Sequence, residues 1–543
     1  MKPIDAVTLG ILWDRLISIT NEIALSLIRT SFSTIVRENY DLACVLFDSE
    51  GRSLAQASYS VPVFIGTAPL TLRHMLKRFP AETLQPGDVV ITNDIDIGTG
   101  HLWDINVMRP AFRGKTLVGF TLSISHLSDI GGRGLSALNT SRYEEGLQIP
   151  ITKLVRAGQL DEELLALIRQ NVRASDQVIG DILANVTATE VGCRNLVEFM
   201  DDYNIDDLRP LALAIVGQSE QAMRRQIANI PDGVYENRLD IETLDQPVAL
   251  ACRVTIAGDR LHIDFDGTDP QVASAVNVPI CYTRAMAAYA IKCLILPNIP
   301  NNEGSVIPIE LSVPPGSILN ALSPAPTGAR NLVGHSVVPL IFGAMALVLP
   351  DRVQADVGMT NLLNVNGRHR DNRAFTTLHF STGGFGAMSG LDGADATPAP
   401  SNMRVMPTEI WEIETGILVE RRSLRPDSGG AGQFRGGLGQ EIIMRNDTGN
   451  PLTVVTMGRR SDFPPLGLLG GKPGALSQYR INGKTVRAKG RYVLAPDDVI
   501  EIYNAGGGGY GPPEQRAMEQ IKSDLAQGYI TPEGASRDYG FST

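Results

Sequence analysis

Apolar residues recur at helical spacing near the start of the chain and again further on. Residues 7–30 carry them every three or four positions after Asp5, which predicts a long amphipathic helix capped by that aspartate. The segment 40–56 predicts two strands joined by a Ser-Glu-Gly turn. Helical periodicity returns at residues 67–79 and over most of 160–228.

Two further strands of this first part end in polar residues. The stretch "PGDVVITND" predicts a buried strand that ends at Asn93 and Asp94. Residues 104–126 predict a hairpin that turns at 113–115, and its second strand runs into His126. Polar side chains that follow strands are typical of functional sites, because a rigid sheet fixes their positions.

The pattern changes near residue 231. Short strands are predicted over 238–268 and a helix over 283–296. The 14-residue apolar run at 337–350 predicts a buried helix or strand, since it is too short to cross a bilayer. From about residue 400, short strands and turns alternate with glycine clusters, and a short helix follows near the end.

These elements predict an α+β fold, that is, a mixed α/β structure of several domains. A chain of 543 residues exceeds what one hydrophobic core normally holds. We expect an α/β domain with the candidate metal site over 1–230 and a mixed β-rich domain over 231–400. A glycine-rich β domain with a C-terminal helix is expected over 401–543.

Composition excludes several classes of protein. The net charge is −11 and no basic block occurs, which argues against nucleic-acid binding. The five cysteines are odd in number and contain no CxxC pair, so neither a disulfide framework nor a thiolate zinc site is indicated. The first residues lack a signal-peptide pattern. We therefore expect a cytoplasmic protein that binds neither nucleic acid nor membranes.

Two of the seven histidines lie in the same His-Leu-x-Asp frame, at His101–Asp104 and His126–Asp129. Composition alone produces such a pair about one time in six, so the spacing is a hint only. Both frames lie near predicted strand ends, and Asp41 begins another strand. Two imidazoles and two carboxylates suit Zn, Mn, Fe or Ni, with Asp129 as a ligand or as an acceptor for a ligand histidine. The alternative is that these histidines are hydrogen-bonded loop residues.

Other signals are weaker. His262 alternates with apolar residues in a predicted strand, and a structural role is also favoured for His335. The stretch "GGGGYGPP" resembles a phosphate cradle but lacks the GK[ST] that would follow. No nucleophile elbow, catalytic Cys-His frame or dinucleotide fingerprint occurs. The sequence therefore predicts no nucleotide site on this chain.

Several longer segments occur together in one order along the chain: "RENYDLACVLFDSEGRSLAQ", "LQPGDVVITNDIDIGTGHLWDINVMRPAF", "SHLSDIGGRG", "YEEGLQIP", "DFDGTDPQVASAVN", "PNIPNNEGSVIPIELSVPPGSILN", "DSGGAGQFRGGLG" and "GGGGYGPPEQR". With these segments the chain resembles the hydantoinase B/oxoprolinase family over nearly its whole length. That family includes the second subunit of ATP-dependent hydantoinases and lactamases, and a subunit of acetone and acetophenone carboxylases.

The resemblance implies one divalent transition metal, Zn or Mn before Fe or Ni, held by Asp41, His101, Asp104 and His126. The family usually reads Asn-Asp-Pro-Tyr-x-Gly-Gly-Thr-His where this chain has Asn-Asp-Ile-Asp-Ile-Gly-Thr-Gly-His at 93–101. The ligands are kept and the loop beside them has changed. Because of this departure, the resemblance defines the identity of the substrate less closely than the metal ligands.

The resemblance also implies a division of labour in a hetero-oligomer. A larger hydantoinase A-type partner binds ATP and phosphorylates a cyclic amide, and metal-activated water opens the ring on this subunit. Asp129 or Glu38 is then the candidate general base, and Asn93 and Asp94 are candidates to orient ligands or substrate.

Three functions remain open at this stage. The first is the metal-dependent subunit of an ATP-dependent cyclic-amide hydrolase acting on a hydantoin, 5-oxoproline or another lactam. The second is a subunit of an ATP-dependent ketone carboxylase. The third is a scaffolding subunit whose metal is structural.

Overall fold

The computed structural model describes residues 4–61 and 64–541. Within these ranges the chain forms four β-sheets with helices packed against them, which confirms the predicted mixed α/β structure. No helix of the described residues combines the length and apolarity that crossing a bilayer requires.

The first sheet carries the candidate site. Its strands are β1 (Leu42–Asp48), β2 (Ser53–Gln56), β3 (Val89–Thr92), β4 (Asp104–Arg113), β5 (Thr116–His126), β6 (Thr152–Arg156) and β7 (Gln159–Leu160). They pair antiparallel in the order β2-β1-β5-β4-β3-β6-β7. The helices of this part are α1 (Ala6–Thr30), α2 (Thr34–Arg37), α3 (Phe64–Arg78), α4 (Glu162–Asn171), α5 (Ser175–Asp202) and α6 (Arg209–Ile227).

Both faces of this sheet are covered, which explains why β1 is apolar from Leu42 to Phe47. Leu42 and Leu46 pack in a cluster with α1, α5 and α6. Val45 and Phe47 point the other way, into the larger core. Alternate side chains of a strand point to opposite faces, so a strand buried on both sides needs no polar face.

The predicted helix and hairpin at the start of the chain are confirmed. The Asp5 carboxylate accepts the backbone N–H groups of Val7 at 3.1 Å and Thr8 at 3.0 Å, and caps α1. The hairpin of β4 and β5 turns between Arg113 and Thr116. The helix predicted from residue 67 begins three residues earlier.

The rest of the chain forms the other three sheets. Its strands are β8 (Gly233–Ile241), β9 (Val248–Ala257), β10 (Arg260–Asp264), β11 (Ile309–Ser312), β12 (Thr360–Arg368), β13 (Ala374–Thr382), β14 (Ile417–Leu424), β15 (Gln440–Asn446), β16 (Leu452–Met457), β17 (Gln478–Ile481), β18 (Lys484–Val486), β19 (Lys489–Leu494) and β20 (Val499–Tyr503). Its helices are α7 (Ile280–Ile295), α8 (Asn331–Gly334), α9 (Val337–Met345), α10 (Thr408–Thr415), α11 (Met518–Gln527) and α12 (Pro532–Tyr539). The apolar run at 337–350 therefore begins as a buried helix.

Strand pairing and the core run across the predicted domain boundaries. The second to fourth sheets have the orders β11-β10-β9-β8, β13-β12-β16-β19 and β14-β15-β20-β17-β18. The third sheet pairs β12 with β16, so it joins strands from both sides of residue 400. The largest cluster of buried apolar side chains extends from Ile35 to Tyr510.

The glycine clusters of the C-terminal part pack against each other through their backbones. Gly430 donates its N–H to the carbonyl of Gly507 at 2.8 Å, and Gly507 donates to Gly437 at 2.8 Å. A Cβ on Gly436 would lie 2.0 Å from the carbonyl oxygen of Gly507. The sequence predicts turns here, and the structure shows a layer in which backbones meet too closely for side chains.

Lys292 on α7 makes folding stability depend on pH. Its Nζ is buried and donates to the carbonyl of Ile299 at 2.5 Å. Burial lowers the pKa of Lys292 from 10.5 to about 8, because it penalises the ammonium form. This shift lowers the free energy of unfolding by about 3 kcal/mol at pH values below 8, and the loss disappears as the pH rises towards 10.5.

We therefore expect Lys292→Met to raise the thermal unfolding midpoint at pH 7 and to gain less over the parent at pH 9.5. Scans at both pH values measure this. The control is Lys115→Met, since Lys115 is exposed in the hairpin turn. An equal effect of Lys292→Met at both pH values contradicts the assignment.

Candidate functional site

Three of the predicted ligands meet where β4 and β5 come together. Asp104 is the first residue of β4 and His126 the last of β5, and the two pair directly across the hairpin. Residues opposite each other on antiparallel strands have Cβ atoms about 5 Å apart. His101 precedes Asp104 in a turn, and its ring lies 5.1 Å from that of His126. Register and turn together bring the three side chains to one point.

These three side chains fit a divalent transition metal. One ligand atom each from His101, Asp104 and His126 lies within 4.8 Å of the others, and all three residues are buried. His101 Nε2 is 3.0 Å from Asp104 Oδ2 but is not aligned for a hydrogen bond, and His126 Nδ1 also has no hydrogen-bond partner. An unpartnered buried nitrogen costs about 1–3 kcal/mol, which an ion at their common focus would offset.

The protonation states also suit metal binding. Burial lowers the pKa of His126 to about 3 and that of His101 as well, because the imidazolium form is desolvated. Burial alone would raise the pKa of Asp104, but His101 and Arg330 beside it hold that pKa well below its usual value. At neutral pH the site therefore offers two neutral imidazoles and one carboxylate, which are the forms that bind metals.

Asp41, the fourth predicted ligand, lies on the wall of the same cavity and outside the cluster of three. Its carbonyl accepts the N–H of His126 at 3.1 Å, which ties the start of β1 to the end of β5. Burial, with a contribution from the charge of Asp104, raises the pKa of Asp41 to about 8. A cation between the two carboxylates would remove this repulsion.

Arg330 and Glu145 belong to the site and were missed by sequence reasoning. Arg330 donates from Nη2 to Asp104 Oδ2 at 2.9 Å and from Nε to the carbonyl of Thr99 at 2.6 Å. Glu145 accepts the N–H of Gly328 at 2.6 Å and so holds a loop whose carbonyl lies 3.2 Å from His101 Nδ1. No local motif marks these residues, because the contact of Arg330 with Asp104 spans 226 positions.

The two candidate general bases lie away from this point. The Asp129 carboxylate accepts hydrogen bonds from Gly131 and from the side chain and N–H of Arg173. Glu38 pairs with Arg37 at 3.0 Å. Neither lines the cavity, so the second His-Leu-x-Asp frame contributes His126 alone.

Asn93 and Asp94 shape the loop that leads to His101. Asn93 Nδ2 donates to the carbonyl of Leu102 at 2.8 Å, and its Oδ1 accepts the N–H of Ile149 at 2.6 Å. Asp94 Oδ1 accepts the N–H of Asp96 at 3.0 Å. None of these contacts involves the cluster of three, so an orienting role of Asn93 and Asp94 stays a prediction and would act through the loop.

The cavity around the cluster has a volume of about 60 Å³ and combines polar and apolar walls. Its apolar side includes Phe64, Leu362 and Phe380. His335 and Arg459 also line the cavity, so His335 has the pocket position that the sequence did not favour. A space of this volume suits a small substrate group better than a nucleotide.

Fold and site together define a mixed α/β protein with a buried cluster of His101, Asp104 and His126 at the ends of two strands of its first sheet. The sequence pattern of the hydantoinase B/oxoprolinase family matches residues 5–513. The chain belongs to this family, which confirms the resemblance.

Named relatives cover nearly the full length of the chain. A putative D-/L-hydantoinase subunit from Pseudomonas sp. (strain NS671) is 29% identical, over 99% of this chain and 95% of the relative. The crystal structure of ATP-dependent caprolactamase from Pseudomonas jessenii matches with a TM-score of 0.93 and 26% identity, over 99% of this chain and 96% of that one. A nucleotide-free acetone carboxylase structure matches with a TM-score of 0.89 over 98% and 79%, and at 19% identity it shows a shared fold.

Proposed function

We propose that this chain is the metal-dependent subunit of an ATP-dependent cyclic-amide hydrolase. The substrate would be a hydantoin, 5-oxoproline or another lactam. The observation that carries the proposal is the convergence of His101, Asp104 and His126, with unpartnered ring nitrogens, in a small buried cavity. The names of the relatives, a hydantoinase subunit and a lactamase, support the same substrate class.

His101, Asp104 and His126 would hold one divalent metal, with Asp41 as the fourth ligand. When bound, such a metal would polarise the carbon–oxygen bond of the amide or of the phosphorylated amide and lower the pKa of water. Arg330 keeps Asp104 ionised and fixes its orientation through a hydrogen bond of 2.9 Å. The apolar residues of the lining would limit the access of water to the reacting group, which would strengthen charge interactions inside the cavity.

ATP would be bound by a larger partner of the hydantoinase A type. The chain carries no phosphate-binding loop in its sequence, and the relatives are named as subunits. The partner would transfer a phosphoryl group from ATP to the amide oxygen. On this subunit water would add to the activated carbon, the ring C–N bond would break, and the product carboxylate and inorganic phosphate would leave.

The proposal is tested with the purified complex of this chain and its ATP-binding partner. Phosphate release and ring-opened product are measured together for hydantoin, 5-oxoproline and 2-pyrrolidinone, and phosphate release and carboxylated product for a ketone such as acetone, each with and without bicarbonate. ATP-dependent ring opening of at least one of them, independent of bicarbonate, is the expected result.

Two other results decide for the alternatives. Turnover that requires bicarbonate and a ketone identifies a carboxylase subunit. If the parent complex opens no ring, and His126→Ala causes the complex to dissociate, the metal is structural and the chain is a scaffold. In both cases the hydrolase proposal fails.

A further inference from the structure

Arg459 is a buried cation in the wall of the same cavity. It follows strand β16 by two residues and its accessible surface is 2%. Its Nη1 donates to His335 Nδ1 at 2.7 Å and reaches Met359 Sδ at 3.4 Å. Its Nε and Nη2 have no hydrogen-bond partner among the described residues.

The carboxylates near Arg459 are already paired with other cations. Arg460 Nη2 forms an ion pair with Asp356 Oδ1 at 2.5 Å. Glu242 lies 3.6 Å from Lys489 Nζ. Within the described ranges Arg459 forms no ion pair, so no carboxylate oxygen within 4.0 Å neutralises its charge.

Such a charge is costly to keep. An uncompensated buried ion costs several kcal/mol, whereas a buried guanidinium normally has a carboxylate beside it. Burial lowers the pKa of Arg459 only to about 10, so it stays charged at neutral pH. An anion delivered from outside would offset this cost.

The contacts of Arg459 fix the orientation of its guanidinium group but do not neutralise its charge. His335 is neutral, because burial lowers its pKa well below the usual value, and its Nδ1 can accept the Nη1 hydrogen. The His335 ring stacks on Tyr282 at 6.2 Å, and Tyr282 in turn lies 4.5 Å below the Arg330 guanidinium. This stack links the two arginines of the cavity and leaves two edges of the Arg459 fork free.

We propose that Arg459 binds an anionic oxygen group of the substrate while the reacting carbonyl lies at the His101–Asp104–His126 cluster. The group is a carboxylate on the lactam or the phosphoryl group of the activated amide. Both present paired oxygens that match the planar guanidinium fork. This inference rests on the proposed function, because it assigns a substrate class to the same cavity.

Calorimetric titration of the full-length chain tests it with three probes. 5-Oxoproline and 2-pyrrolidinone differ only by a carboxylate, and inorganic phosphate represents the phosphoryl group. EDTA in the buffer keeps the anions from binding a metal at the histidines. The chain is expected to bind at least one anion more tightly than 2-pyrrolidinone, and Arg459→Gln to weaken that binding roughly 10- to 100-fold.

The pattern of loss identifies the source of the anion. Weaker binding of 5-oxoproline alone assigns Arg459 to a substrate carboxylate, and weaker binding of phosphate alone assigns it to the phosphoryl group. Arg459→Lys should keep part of the affinity, since it retains the charge without the fork. Arg487→Gln, which removes an exposed arginine, should change nothing.

Three outcomes overturn the inference: neither anion binds the parent chain, Arg459→Gln binds both anions as the parent does, or it weakens 2-pyrrolidinone equally. An unfolding midpoint measured beside each titration separates misfolding from lost binding. Because the titrations need neither ATP nor turnover, they can succeed or fail independently of the hydrolase assay.

Discussion

Replacing His126 by alanine is expected to deplete the chain of metal while leaving it folded. The side chain supplies one of the three converging ligand atoms. Losing a group that only orients a ligand typically costs 10- to 100-fold in metal affinity, so losing a ligand should cost more. His101→Ala should behave in the same way. Elemental analysis by inductively coupled plasma mass spectrometry, at equal protein concentration, measures the bound metal.

Matched variants separate the ligands from their neighbours. His262→Ala removes a histidine of the second sheet, which is hydrogen-bonded to Ser312 outside the lining of the candidate site. This variant should keep its metal. Asp129→Asn should also keep it, because that carboxylate is occupied by Arg173 and Gly131. Metal content that is unchanged in His126→Ala, or that falls equally in His262→Ala, contradicts the site. The twin motif would then be a coincidence of composition.

The second large effect is expected in the glycine layer. Gly436→Ala would place a Cβ 2.0 Å from the carbonyl oxygen of Gly507, a backbone atom that cannot turn aside. Overpacking of a core by a methylene costs about 1–3 kcal/mol, and a clash with backbone should exceed that range. A large fall in unfolding midpoint or in folded yield is therefore expected.

Gly217→Ala is the control for the same chemical change. Gly217 lies within helix α6, and nothing lies within 4 Å of the position of its Cβ. Alanine there should stabilise the helix by about 0.5–1 kcal/mol, because glycine loses more backbone entropy on folding. Unfolding by heat or urea compares the two variants. A lower free energy of unfolding for Gly436→Ala and a higher one for Gly217→Ala support the close packing of the layer. An unchanged stability of Gly436→Ala refutes it.

The candidate site was predicted in part because two of its features are local. The His101–Asp104 spacing and the strand that ends at His126 can both be recognised in the sequence. The position of Asp129 outside the cavity lining could not be predicted from the sequence. It depends on Arg173, which donates to that carboxylate from a separate segment. Glu38 was a candidate general base only through the family resemblance, and the structure pairs it with Arg37 outside the cavity lining.

Periodicity and motif order were enough to determine the capped first helix, the hairpin that carries His126, the mixed α/β class and the family. These features follow from local burial patterns and from segments of chain that remain recognisable in isolation. Tertiary structure alone decided the partners of the site: Arg330 beside Asp104, Arg459 without a carboxylate, and glycine backbones stacked on one another. Such contacts join residues far apart in the chain, and their existence depends on strand register and sheet packing, which no local pattern encodes.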